Sequence, residues 1–132
     1  MTKDKPNILI DAEWDGLGEY LSEFLTDNDF KVTVIEANFD SEKIISELSR
    51  GTYAVVILTE NCSPSKRWPD AAKQLLDAVS EVKRKCPKVY CVVMGGQHDI
   101  DFVIGLERRG IDDFFPLPFK TEYLLSRIEK AI

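Results

Sequence analysis

Tyr53-Ala54-Val55-Val56-Ile57-Leu58-Thr59-Glu60 is the stretch on which the fold turns. Four aliphatic residues in a row, Val55 to Leu58, stop abruptly at polar Thr59, Glu60 and Asn61. A strand buried on both faces has this continuous character, and the polar stop marks where it leaves a parallel sheet. Ligands and chemistry in open α/β sheets gather at that carboxyl edge. Thr59 and Glu60 are therefore the first candidate site residues, and they offer only a poor nucleophile and an acid.

Outward from this strand the same unit repeats. Ile8-Leu9-Ile10 runs into Asp11-Ala12-Glu13 and Trp14-Asp15-Gly16, as a first strand does before its helix. Leu17, Tyr20, Leu21, Phe24 and Leu25 keep helical spacing, and Asp27-Asn28-Asp29 closes that helix. Lys31 to Ile35 alternates like an outer strand, and Asn38 to Asp40 turns the chain. Asp40 or Ser41 then caps a second helix carrying Ile44, Ile45 and Leu48, which ends at Arg50-Gly51.

Beyond the central strand, Asn61 to Pro69 is a long polar loop with two prolines. A third helix follows over roughly 70–85 with Ala72, Leu75, Leu76, Val79 and Val82, and Pro87 ends it. Val89 to Met94 is a second continuous buried strand, stopped by Gly95-Gly96. Asp99 or Asp101 begins a fourth helix that ends at Gly110, and Asp112 to Phe115 is the fifth strand. After the turn at Pro116-Leu117-Pro118, Thr121 caps a last helix bearing Leu124, Leu125, Ile128 and Ile132. Five strands alternating with five helices predict one doubly wound α/β domain over 1–132.

A chain of 132 residues with 44% hydrophobic content is sufficient for one packed core. The formal net charge of -6, without a dense run of Lys or Arg, repels a phosphate backbone and argues against nucleic acid as a partner. Cys62, Cys86 and Cys91 lack metal-type spacing and read as reduced thiols. Residues 1–11 hold only three consecutive apolar residues before Asp11, too few for a signal-peptide core or a membrane span. The expectation is a cytoplasmic protein.

The run Gly110-Ile111-Asp112-Asp113-Phe114-Phe115-Pro116-Leu117-Pro118-Phe119-Lys120, continuing through Glu122, Leu124, Leu125, Arg127 and Ile128, is similar to the pattern G-A-D-D-Y-L-x-K-P-F-x-x-x-E-L-L-x-R-I. That pattern belongs to the receiver domains of bacterial response regulators (CheY-like), which the chain resembles over nearly its whole length. The resemblance implies a flavodoxin-like (βα)5 fold, with a five-stranded parallel sheet in the order 2-1-3-4-5. It also implies an aspartyl phosphorylation chemistry. Acids after the first strand hold Mg²⁺, an Asp ending the third accepts the phosphoryl group, and a hydroxyl after the fourth and a Lys before the fifth-strand proline read it.

Most of those groups are missing here. Thr59 falls at the acceptor position, Met94-Gly95 at the hydroxyl, and Leu117, before Pro118, at the lysine. Asp11 and Glu13 remain as a residual acidic pair around Ala12, and metal binding through them is expected to be weak at best. Phe114 keeps the aromatic switch position. The resemblance also implies a cis peptide at Leu117–Pro118. A one-residue slip would instead bring Glu60 into the pocket as a permanent imitation of a phosphorylated aspartate.

The reading is a phosphorylation-independent pseudo-receiver in a two-component-type pathway, with no catalysis and no cofactor, acting by protein–protein contact. Receivers commonly dock or dimerise through the fourth helix, fifth strand and fifth helix. The fourth helix there carries Ile100, Phe102, Val103, Ile104 and Leu106, more apolar residues than one sheet-facing stripe uses; counted back from Gly110 along the family pattern, the resemblance turns Val103 and Leu106 inward and leaves Ile100 and Ile104, one turn apart beside Arg108, toward the outside. Alternatives stay open. One is a receiver phosphorylated at a displaced acid. Another is a small-ligand site near Gly16, Thr59 and Gly95, of nucleotide type because of Gly16 and Gly18, or cobalamin-like because of Gly95-Gly96. His98 reads as a helix-start surface residue and Cys62 as an ordinary loop thiol. Trp14 and Trp68 flank the same edge, either to cover it or to serve as solvent-facing aromatics in partner contacts.

Overall fold

The computed structural model describes residues 5–59, 70–95, 100–116 and 120–132, the side chains of 15, 70–72 and 100 excepted. Five parallel strands, β1 (Asn7–Asp11), β2 (Lys31–Ile35), β3 (Tyr53–Thr59), β4 (Tyr90–Gly95) and β5 (Asp113–Pro116), form one sheet in the order β2-β1-β3-β4-β5. Five helices, α1 (Glu19–Asp27), α2 (Ser41–Ser49), α3 (Asp70–Lys85), α4 (Ile100–Arg108) and α5 (Thr121–Ala131), connect and follow them. This is the flavodoxin-like arrangement expected from the resemblance.

The continuous aliphatic runs divide by the two-residue period of a strand. Val55, Ile57, Val92 and Met94 meet Leu21 and Leu25 of α1 and Leu124 and Ile128 of α5 on one face. Val56, Leu58, Cys91 and Val93 meet Ile44 and Leu48 of α2, Leu75, Val79 and Val82 of α3, and Leu106 of α4 on the other. Both faces of β1, β3 and β4 are therefore covered, which is why those strands read as unbroken apolar runs. β2 and β5 are the sheet edges, and β2 is only partly buried along its length.

Local chemistry sets the helix ends. Asp40 is the N-cap of α2, its carboxylate accepting from the backbone N–H of Glu42 and Lys43. α5 differs from expectation, since Lys120 is its N-cap and Thr121 is already its first helical residue, with no side-chain cap. The Lys120 carbonyl there accepts from the N–H of Tyr123 and Leu124. Ile132 lies past the end of α5 and is exposed rather than part of the buried stripe. Before α1 the chain makes a π-type turn, Trp14–Gly18, closed by the Gly18 N–H on the Glu13 carbonyl at 3.1 Å.

At the edge of the sheet opposite the candidate site, Lys83 Nζ donates to the carbonyls of Pro87 (3.4 Å) and Val89 (3.1 Å) and to Asp112 Oδ2 (2.9 Å). Asp112 Oδ2 also accepts from the Cys91 N–H at 2.8 Å, and the Asp112 N–H returns a bond to the Cys91 carbonyl. Among the described residues no helix is long and apolar enough to cross a membrane.

Candidate functional site

Strand register determines what meets at the carboxyl edge. Asp11 ends β1 opposite Ile35 of β2 and Leu58 of β3, Thr59 ends β3 opposite Met94, and Gly95 stands opposite Pro116. The reversal of strand order falls between β1 and β3, the usual place for a ligand crevice. Here that seam is bridged by the chain itself. Thr59 Oγ1 donates to the Asp11 carbonyl oxygen at 2.7 Å, and the two residues are only 1% and 2% exposed.

The Asp11 side chain points the other way, over the end of β2. Its Oδ1 accepts the N–H groups of Ala37 (2.8 Å) and Asn38 (3.2 Å), and its Oδ2 accepts that of Phe39 (3.0 Å). Asn38 and Phe39 adopt left-handed backbone, with φ of 51° and 64°. Successive N–H groups in such a turn form a concave nest whose positive dipole ends converge on an anion. Charge-assisted bonds of this kind satisfy the buried carboxylate.

Glu13 does not join Asp11. Its side chain is exposed, and Ala12 between them is buried among apolar residues of the α1 and α5 face. Among the described residues no group of three or more His, Cys, Asp or Glu side chains converges as a metal site would require. The Mg²⁺ that the resemblance implies thus finds at this edge one buried carboxylate already held by three N–H donors, an apolar Ala12 and a hydroxyl facing a carbonyl. The described residues do not fit that ion.

The remaining positions are placed as follows. Met94 and Gly95 are buried, and Phe114 is half-buried against the α2, α3 and α4 core. Gly16 takes φ of +102° with open space around it, and Gly18 packs beneath the Glu13 carbonyl, so the two glycines serve a strand-to-helix turn. Trp14 is 47% exposed, and its backbone N–H donates to Glu36 Oε1. Glu60, Cys62, Trp68, His98, and Leu117 with Pro118, including the peptide expected to be cis, lie outside the described residues.

On the face of α4, β5 and α5, Ile104 is 36% exposed and Arg108 is exposed, while Leu106 is buried as expected. Val103 is half-buried, and the Ile100 side chain lies outside the described residues. Sequence reasoning missed Tyr123, which is 54% exposed and packs edge-on against Phe115 at 5.5 Å with the Arg127 guanidinium 6.0 Å from its ring centre. Arg127 Nε donates to Asp113 Oδ2 at 2.6 Å, and that oxygen also accepts from the Tyr90 hydroxyl at 2.9 Å. The Asp113 bond and charge raise the Arg127 pKa, and burial followed by the Asp113 bond pushes the Tyr90 phenol up to about 12.

A groove of about 380 Å³ lies beside this edge rather than at Thr59, along the end of β2 and the outer side of α2. Glu36, Glu42 and Glu47 line it together with Lys43 and Arg50, three acidic side chains against two basic ones.

No family model and no curated protein sequence matches the chain. Solved structures do. An orphan response regulator of H. pylori, HP1043, is 19% identical with a TM-score of 0.76, the match covering 98% of both chains. A response regulator from Thermotoga maritima is 18% identical at TM-score 0.75, covering 97% of this chain and 98% of its own. A CheY-like protein, TadZ, from Pseudomonas aeruginosa is 16% identical at TM-score 0.78, covering 97% of this chain and 100% of its own. With register, topology and full-length superposition in agreement, the chain has the flavodoxin-like fold of response-regulator receiver domains.

Proposed function

We propose that the chain is a receiver-fold signalling module that works by protein–protein contact, without aspartyl phosphorylation and without catalysis of its own. The observation that carries this reading is Thr59. At the end of β3, where a receiver's acceptor carboxylate belongs, the chain has a hydroxyl that is 1% exposed and donates to the Asp11 carbonyl. A buried, hydrogen-bonded threonine offers neither the carboxylate nucleophile nor the accessibility that phosphoryl transfer from a small donor requires. The setting we envisage is a cytoplasmic two-component-type pathway with a protein partner, and neither nucleic acid nor a cofactor takes part.

The candidate partner surface is the face of α4, β5 and α5. Ile104 and Tyr123 there are large exposed apolar groups on either side of an edge strand, accompanied by Arg108. The test of the central claim is incubation with Mg²⁺ and a small phosphodonor such as acetyl phosphate, read by intact mass. The expected result is an unchanged mass, and a phosphoryl adduct on any carboxylate, Glu60 included, overturns the reading.

A further inference from the structure

We infer that Asp11 is the built-in anion of a backbone nest rather than a leftover metal ligand, and that its carboxylate sets the position of the β2–α2 loop and the start of α2. The carboxylate is 2% exposed and accepts three successive N–H groups, from Ala37, Asn38 and Phe39, at 2.8 to 3.2 Å. A carboxylate withdrawn from water in this way is retained only where donors replace its hydration, and here backbone dipoles replace it.

The loop carries the matching signature. Asn38 is a residue type that tolerates left-handed backbone, whereas a Phe at φ 64° is an outlier that persists only when its surroundings impose it. Among the described residues two contacts impose it: the Phe39 side chain is buried in the α2 and α3 core, and its N–H is held by Asp11 Oδ2. One residue later Asp40 caps α2 through Glu42 and Lys43. Two carboxylates in series thus hold the loop and the helix start, Asp11 from β1 and Asp40 from the loop itself.

A cation at the same oxygens would meet the positive ends of three N–H dipoles. The neighbours that a hard cation needs are also wrong, since Ala12 is apolar and Glu13 is exposed. The inference is independent of the proposed signalling role: Asp11 holds the loop whether or not a partner docks on α4, β5 and α5.

The test uses the full chain and amide hydrogen exchange. In Asp11→Ala the amides of Ala37, Asn38 and Phe39 are expected to exchange at least about tenfold faster, the scale of one lost charge-assisted bond. Sodium formate, a free carboxylate small enough to enter the emptied nest, is expected to restore their protection relative to sodium chloride at equal ionic strength and pH, and to leave the wild type unchanged. Should Asp11→Ala fold only in formate, the inference is supported as well. Should it fail to fold in either salt, Asp11→Asn decides: faster exchange confined to 37–39 supports the nest, and unchanged or chain-wide exchange overturns it. In the wild type, Mg²⁺ raised to a few times about 1 mM, the weak end of cation modules, is expected to leave the Asp11 carboxyl carbon resonance in place. A saturating shift that also deprotects 37–39 reassigns Asp11 as a metal ligand.

Discussion

Thr59 Oγ1 lies 2.7 Å from the carbonyl oxygen of Asp11 and donates to it, joining the carboxyl end of β3 to that of β1 across the seam where the strand order reverses. Replacing Thr59 by Val keeps the shape and leaves that buried carbonyl without this donor. A stability loss of about 1–3 kcal/mol is expected, or roughly 4 °C in Tm per kcal/mol for a domain of this size. Urea unfolding checks it, and an unchanged midpoint would mean that the bond contributes nothing net.

Gly18 has ordinary helical backbone angles, so its requirement is space rather than conformation. A Cβ there would stand 2.5 Å from the Glu13 carbonyl oxygen and 3.3 Å from Val34 Cγ1. Gly18→Ala is expected to lose about 1–3 kcal/mol, the scale of an overpacked site. Gly51, whose nearest neighbour to a new Cβ is 3.8 Å away, is the control, and Gly51→Ala is expected to be neutral or mildly stabilising. Equal effects at the two positions would refute the close-packing account of the π-type turn.

Tyr90 predicts an alkaline limb. Burial first, and donation to Asp113 second, hold its phenol protonated up to about 12 in the folded chain, against 10.0 for a free tyrosine. Between those values the unfolded chain has released a proton that the native chain still binds, so stability falls as pH rises from about 10 to about 12. The buried Cys91 thiol, raised from 9.0 to about 12 chiefly by burial, acts in the same direction. Tyr90→Phe is expected to flatten the decline of Tm over this window without abolishing it. An identical slope in the variant would remove Tyr90 from the explanation.

Ile104 separates a contact surface from a core position. Its exposure predicts that Ile104→Lys changes stability by less than about 0.5 kcal/mol while weakening whichever association this face supports, self-association in sedimentation velocity or capture of a protein partner. Loss of cooperative unfolding would place Ile104 in the core. Unaltered association would place the surface elsewhere.

How legible all this was depends on range along the chain. Val55 to Leu58 and the later run at β4 announce strands because both faces of the sheet are covered, so periodicity and burial agree. The Asp40 cap was readable because its acceptor and donors lie within three residues. The α5 cap was not: Thr121 and Lys120 differ by one position, and backbone hydrogen bonds rather than residue type decide which comes first. The parting of Asp11 from Glu13 was hidden too, because the partners of Asp11 lie 26 to 28 residues away in a loop whose left-handed turn carries no glycine. Tyr123 was overlooked because its ring packs on Phe115 across elements, a contact that helical spacing does not encode.

Lys83 draws the turn between α3 and β4, through Pro87 and Val89, and the approach to β5, through Asp112, onto one ammonium group. Gly110, at φ +97°, sits against the methylene stem of the same side chain. The amino-terminal rim of this half of the sheet is therefore cross-linked without a covalent bond, and its segments are expected to open together. In native-state exchange, the amides of Cys91 and Asp112 are expected to report the cooperative unfolding of the whole sheet, and Lys83→Met to release them at a lower opening free energy.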